Sequence, residues 1–120
     1  MFKIVLASSA GDGRLSSPTF TTPLILKGKW EVAVTHFICD RTCRMLLLCD
    51  LVDFTYVGNE RMRFLKMYDP HDDQFNLRPT YVRVIPNVIE SINIDIVKYP
   101  EVNTAISHKD IICELHFRKS

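Results

Sequence analysis

Cysteine, histidine and aspartate are the side chains in this chain with the chemistry to hold a metal or to attack an electrophile. Cys39, Cys43 and Cys49 follow the pattern C-x3-C-x5-C, with His36 just upstream and Cys113 far away. A structural zinc site needs four ligands, and sequences usually supply them as two tight pairs, such as a repeated C-x2-C. The second pair is missing here. Cys49 and Cys113 lie inside apolar stretches, 46–51 and 111–117, where a thiol acts as a small hydrophobe. Four free thiols and no bound metal are therefore expected, which suits a reducing compartment. Pro70-His71-Asp72-Asp73 sets an imidazole beside two carboxylates. Adjacent residues rarely complete a coordination sphere, so a solvated turn is the expectation.

Other catalytic signatures are missing. His36 and His116 stand apart on strand-like segments and read as packing or surface residues. No His-x-His pair of the metal-binding cupin kind is present. The glycines of Gly11-Asp12-Gly13 lack the following helix and the Lys-Ser/Thr pair of a phosphate loop. There is no Gly-x-Ser-x-Gly elbow. A cysteine nucleophile needs a neighbourhood that lowers its pKa, and the flanking residues do not indicate one. Catalytic, cofactor-binding and metal-binding residues are all read as none, and the chain is expected not to be an enzyme.

Charge narrows the partners. Fifteen basic and fourteen acidic side chains leave a net charge of +1, whereas phosphate neutralisation demands a basic excess of a nucleic-acid binder. No specific nucleic acid is expected. The local basic groups, Arg61, Arg63 and Lys66, or Arg41 with Arg44, read as solvated strand faces. No apolar run reaches the roughly 18 residues of a membrane span, so no membrane partner is expected. Residues 1–6 are apolar but interrupted by Lys3, without the order of a signal peptide. The reading is an intracellular, non-secreted protein.

The elements that must position these side chains follow a period of two. Phe2, Ile4 and Leu6 alternate with Lys3, Val5 and Ala7. Segment 30–39 sets Trp30, Val32 and Val34 on one face and Glu31, Ala33 and Thr35 on the other, and Trp30 is read as core. Segment 45–52 is a near-continuous apolar run, the pattern of a strand covered on both sides. In 89–98, Ile92, Ile94 and Ile96 alternate with Ser91, Asn93 and Asp95, which a helix would scatter and a strand gathers on one face. In 111–118, Ile111, Cys113, Leu115 and Phe117 are expected to face in. Residues 19–22, 24–26 and 81–85 are further β-prone pieces, and 56–68 reads as a strand pair reversing at Gly58-Asn59. Loops are expected at 8–17, 69–79 and 99–109. Eight or nine short strands with no amphipathic helix imply an all-β sandwich or small barrel. At 120 residues and 47% hydrophobic, residues 1–120 make one domain able to bury a core of its own.

Several phrases, taken in order, resemble one family. Cys49-Asp50-Leu51-Val52-Asp53 is followed by Tyr56-Val57-Gly58-Asn59 and Phe64-Leu65. Upstream lie Phe20-Thr21, Leu24, Leu26, Gly28 and Trp30-Glu31-Val32. Downstream come Tyr81-Val82, Ile89-Glu90-Ser91-Ile92-Asn93-Ile94 and Leu115-His116-Phe117-Arg118. This order resembles the penton-like minor capsid proteins of Maverick/Polinton elements and adintovirus-like viruses. Residues 33–48 are shorter than the matching insert of typical members, and Ser16-Ser17-Pro18 stands where members carry asparagines. A shortened or host-captured member is thus included in the resemblance.

What the resemblance implies is a jelly-roll-like antiparallel β-sandwich with a structural role in a virion. The expected partner is a second copy of the chain, in a homo-oligomer with five copies preferred to three, and other capsid proteins beside it. Open sheet edges independently favour association, because unpaired edges must be hidden. Aromatic anchors are available in Tyr56, Tyr68, Tyr81 and Tyr99, although the interface residues themselves are not legible. The alternative is a ligand-binding sandwich that reads a glycan, peptide or nucleic acid through loops 8–17 or 69–79.

Overall fold

Strict alternation buries one face of a strand, and segments such as 92–96 and 111–117 alternate. The computed structural model describes residues 1–8, 14–17, 19–39, 44–71, 78–99 and 111–120, and all regular elements among them are strands. They are β1 (Phe2–Ser8), β2 (Arg14–Ser16), β3 (Leu24–Ile25), β4 (Trp30–Ile38), β5 (Met45–Cys49) and β6 (Thr55–Val57). Then follow β7 (Glu60–Met62), β8 (Phe64–Tyr68), β9 (Val82–Arg83), β10 (Val88–Ile89), β11 (Asn93–Lys98) and β12 (Ile111–Lys119). One four-stranded sheet runs β1-β12-β4-β9 and a second runs β2-β11-β5-β8, while β3 pairs with β10 and β6 with β7. Every ladder is antiparallel. Among the described residues twelve strands replace the expected eight or nine, because the short pieces are counted separately and β2 stands where a loop was expected. The two-residue β3 and β10 each follow closely on a proline, Pro23 and Pro86, which cannot donate to a ladder.

The first sheet is organised on β12. Ile111, Cys113, Leu115 and Phe117 are buried, as their spacing requires. Its ladder with β1 is unbroken from Phe2↔Phe117 to Ser8↔Ile111. Its ladder with β4 shifts between Glu114 and Leu115, so Thr35 has no cross-strand partner. This is a β-bulge, and it changes the phase of β4. Val32 and Val34 point into the core before it, and Phe37 does so after it, with His36 left exposed. The Thr35 hydroxyl donates to Glu114 Oε1 at 2.8 Å.

The second sheet carries the isoleucines. Ile92, Ile94 and Ile96 are fully buried, and Ile94 lies between Leu15 of β2 and Cys49 of β5. The β5–β8 ladder also shifts, at Leu47/Leu48, leaving Leu65 as the extra, buried residue. Inner side chains of both sheets join one hydrophobic cluster. Phe37 of the first sheet meets Tyr68 of the second edge to face at 5.1 Å, and Phe2 stacks on Phe117 at 4.7 Å.

Four expectations change. Within the expected loop 8–17, residues 14–16 form β2, which pairs with β11 and buries Leu15 fully, because Leu15 between two polar residues is itself an alternating piece. Residues 19–22 form no strand; Thr21 and Thr22 are exposed in a bend. Trp30 is half-buried at the rim of the core, where its indole N–H donates to the Lys27 carbonyl at 2.9 Å, an acceptor that full burial would have to supply elsewhere. The reversal at Gly58-Asn59 joins β6 to β7, and Phe64 begins a separate strand in the second sheet.

Candidate functional site

Beyond Cys49 the second sheet gives way to a turn and a hairpin. The ladder Thr55↔Met62, Tyr56↔Arg61, Val57↔Glu60 leaves Gly58-Asn59 as a two-residue loop, and Gly58 has φ of +63°, the positive value such loops require. Continuing this register places Phe54 opposite Arg63. Both guanidinium groups lie over the Phe54 ring, Arg61 at 4.3 Å and Arg63 at 4.2 Å, a cation–π arrangement. Arg63 Nη1 also donates to the Val52 carbonyl at 2.8 Å.

Beside Arg63 an open depression of about 210 Å³ is lined by Leu48, Cys49, Asp50, Arg63, Asn93 and Asp95. Its polar groups satisfy one another or nearby residues. Asp50 accepts from the Asn93 backbone N–H at 3.1 Å and from its side-chain amide at 2.9 Å. Ser16 donates to Asn93 Oδ1 at 2.7 Å, and Arg14 donates to Asp95 at 2.8 Å. Cys49 offers no nucleophile, because burial pushes its thiol up to about 12.

The outer face of the first sheet holds a second polar group. The Tyr81 hydroxyl and His116 Nδ1 are 2.6 Å apart. The Arg118 guanidinium lies 3.5 Å over the Tyr81 ring and donates to Glu31 at 2.6 Å. Nearby, Glu114 is held below the usual carboxylate range, first by the Thr35 hydroxyl and then by the charges of Lys3 and His36. These groups are committed to one another across three strands, which makes them cross-strand ties.

The remaining candidate residues scatter. Cys39 is half-buried and forms no disulfide, Cys49 and Cys113 are free and buried, and Cys43 lies outside the described residues. The His71 backbone N–H donates to Asp69 Oδ1 at 2.9 Å, as in an Asx turn, while Asp72 and Asp73 lie outside the described residues. Among the described residues no group of three His, Cys, Asp or Glu is placed to hold a metal. Of the basic groups, Lys66 donates to the Arg78 carbonyl at 3.0 Å and Arg44 faces Asp69 at 3.6 Å; Arg41 is outside the described residues. Of the loops expected to read a ligand, 9–13 and 72–77 are outside them too. Tyr56 is 73% exposed, whereas Tyr68, Tyr81 and Tyr99 are half-buried.

Exposed apolar side chains are the feature that motif reading missed. Ile25 and Val88 face solvent as a direct cross-strand pair, with Ile85 also exposed. Val5, Ile112 and Ile38 are exposed on the outer face of the first sheet. Period two did contain this signal for Val5 and Ile112, which sit out of phase with the buried residues of their strands. No family model matches the chain, and no curated protein or solved structure matches it.

Proposed function

We propose that the chain is a jelly-roll subunit of a capsid-type assembly, a structural protein that acts by joining copies of itself and other capsid proteins. The observation that carries this reading is the strand order. Taking only the eight strands of the two main sheets, in chain order, the first sheet reads 1-8-3-6 and the second 2-7-4-5. That order arises when one antiparallel ribbon, with 1 against 8, 2 against 7, 3 against 6 and 4 against 5, is rolled so that 8 meets 3 and 7 meets 4. All six contacts are present as ladders. The small pairs obey the same scheme: β3–β10 lies along the ribbon and β6–β7 closes its end.

Eight-stranded jelly rolls build viral capsid domains, lectins and cupins, and a fold alone does not choose among them. The family resemblance favours the capsid role. The polar groups of the depression already pair with one another or with nearby residues, so the depression itself offers a ligand few of them. A capsid-type role places the chain in a virion, and a host-captured copy inside the cell. The assembly is read as a closed homo-oligomer, with a ring of five preferred for a vertex. Its specific contacts should bury more than about 1,000 Å² per pair. Sedimentation velocity on the purified chain tests this: discrete oligomers support it, and a monomer at tens of micromolar overturns it.

A further inference from the structure

We infer that two copies join edge to edge through β1, about a twofold axis at Val5. The inference rests on the assembly reading above and names its contact. An open sheet edge presents a row of unpaired N–H and C=O groups, and folded proteins blunt such edges with shortness, bulges, proline or charge. The main sheets have four edges, and three are blunted. β2 is three residues long and β9 two. β8 is broken by the shift at Leu47/Leu48 and carries Lys66 at its centre. β1 is neither short, bulged nor interrupted by proline, and it keeps only a charge near one end. Its seven residues pair with β12 without a shift and include no proline. Its single charge, Lys3, reaches Glu114 on the neighbouring strand at 3.5 Å. Among the described residues no strand lies beyond it.

The strand is also complementary to itself. In an antiparallel pairing centred on Val5, that residue meets the partner's Val5, Ile4 meets the partner's Leu6, and Lys3 meets the partner's Ala7. Val5 opposes Val5 on one face and Ile4 opposes Leu6 on the other, and no like charges are opposed. Val5 is 57% exposed in the single chain, and Ile112 and Ile38 extend the same outer face. Pairing gives Val5 an apolar neighbour, while Ile112 and Ile38 lie one and two strands further from the edge. The contact closes at two because each copy has one such edge, so it yields a dimer instead of a fibre. A ring of five uses a separate head-to-tail surface, and the β1 contact would then join rings in pairs.

A charge exchange at Val5 tests the contact and its register together. Val5→Lys sets two ammonium groups face to face across the axis, and Val5→Glu sets two carboxylates. Val5 is exposed, so both variants should fold, and thermal melts check this. In sedimentation velocity each variant alone should lose at least tenfold in self-association, and an equimolar mixture should regain it. Amide hydrogen exchange on the wild type gives a second readout: protection within Phe2–Ser8 should rise with protein concentration. A wild type that is monomeric throughout overturns both this contact and the assembly reading. A wild type that assembles while Val5→Lys assembles equally well overturns the β1 contact alone. Failure of the mixture to recover association overturns the Val5-centred register.

Discussion

Cys49 and Cys113 lie in the core on β5 and β12, and burial pushes both thiols from 9.0 up to about 12. For Cys49 the backbone of Leu51 opposes the shift and the Asp50 charge adds to it; for Cys113 the neighbouring Cys49 and then Glu114 add to it. Below pH 9 both thiols are protonated in the folded and unfolded chain alike, and their contribution to stability is fully present. Between pH 9 and 12 the unfolded chain releases protons that the folded chain keeps, so stability falls as pH rises. Each thiol then weakens folding about tenfold per pH unit, or on the order of 4 kcal/mol over the whole window. Two thiols together approach the roughly 5–15 kcal/mol that holds a domain folded. Urea unfolding at pH 8, 9, 10 and 11 reads the slope. Between pH 8 and 9 the wild type should change little, and between pH 10 and 11 it should lose up to about a hundredfold more than a Cys49→Ala/Cys113→Ala variant, whose cavities lower stability by a constant amount at every pH. Cys49→Ala alone should remove about half of the slope. Parallel pH dependences in wild type and double variant would refute the reasoning.

Ile94→Ala should cost about 2–5 kcal/mol in chemical denaturation, since the side chain is fully buried between Leu15 and Cys49; a loss under about 0.5 kcal/mol would place it outside the core. Asp95→Ala, on the opposite face, should cost less than about 1 kcal/mol, because its pair with Arg14 is exposed. Gly58→Val should cost about 1–3 kcal/mol through backbone strain alone, as an added Cβ meets nothing within 4 Å. Gly58→Asn should cost less, and hydrogen exchange across 55–62 reads the difference; equal behaviour of both variants and wild type would contradict a positive φ. Thr35→Val should remove the hydroxyl that donates to Glu114 and raise the Glu114 pKa toward its usual range; an unchanged NMR titration would deny that bond its role.

Legibility followed the range of the physics. The inward faces of β11 and β12 were readable because alternation is local: Ile92, Ile94, Ile96 and Ile111, Cys113, Leu115, Phe117 each share a face by spacing alone. Gly58-Asn59 was readable because a two-residue reversal demands residues tolerant of positive φ. The Thr35 bulge left a fainter trace, the step from Val34 to Phe37 in place of a step of two. Residues 19–22 show the opposite failure, β-prone side chains with no ladder partner. The pairings that create surfaces were not local. Tyr81 meets His116 only because β9 and β12 both flank β4, and the light protection of β1 emerges only when all four sheet edges are compared. The Phe54–Arg63 contact lies between these cases, since the hairpin register implies it once the turn is fixed.

The mass of the purified chain in solution is the most direct test of the central claim. Sedimentation velocity at tens of micromolar, at low and at moderate salt, should give a discrete species at a fixed multiple of the chain mass, and electron microscopy should show closed particles. A single monomeric boundary under both conditions would contradict the claim that this protein works by assembling.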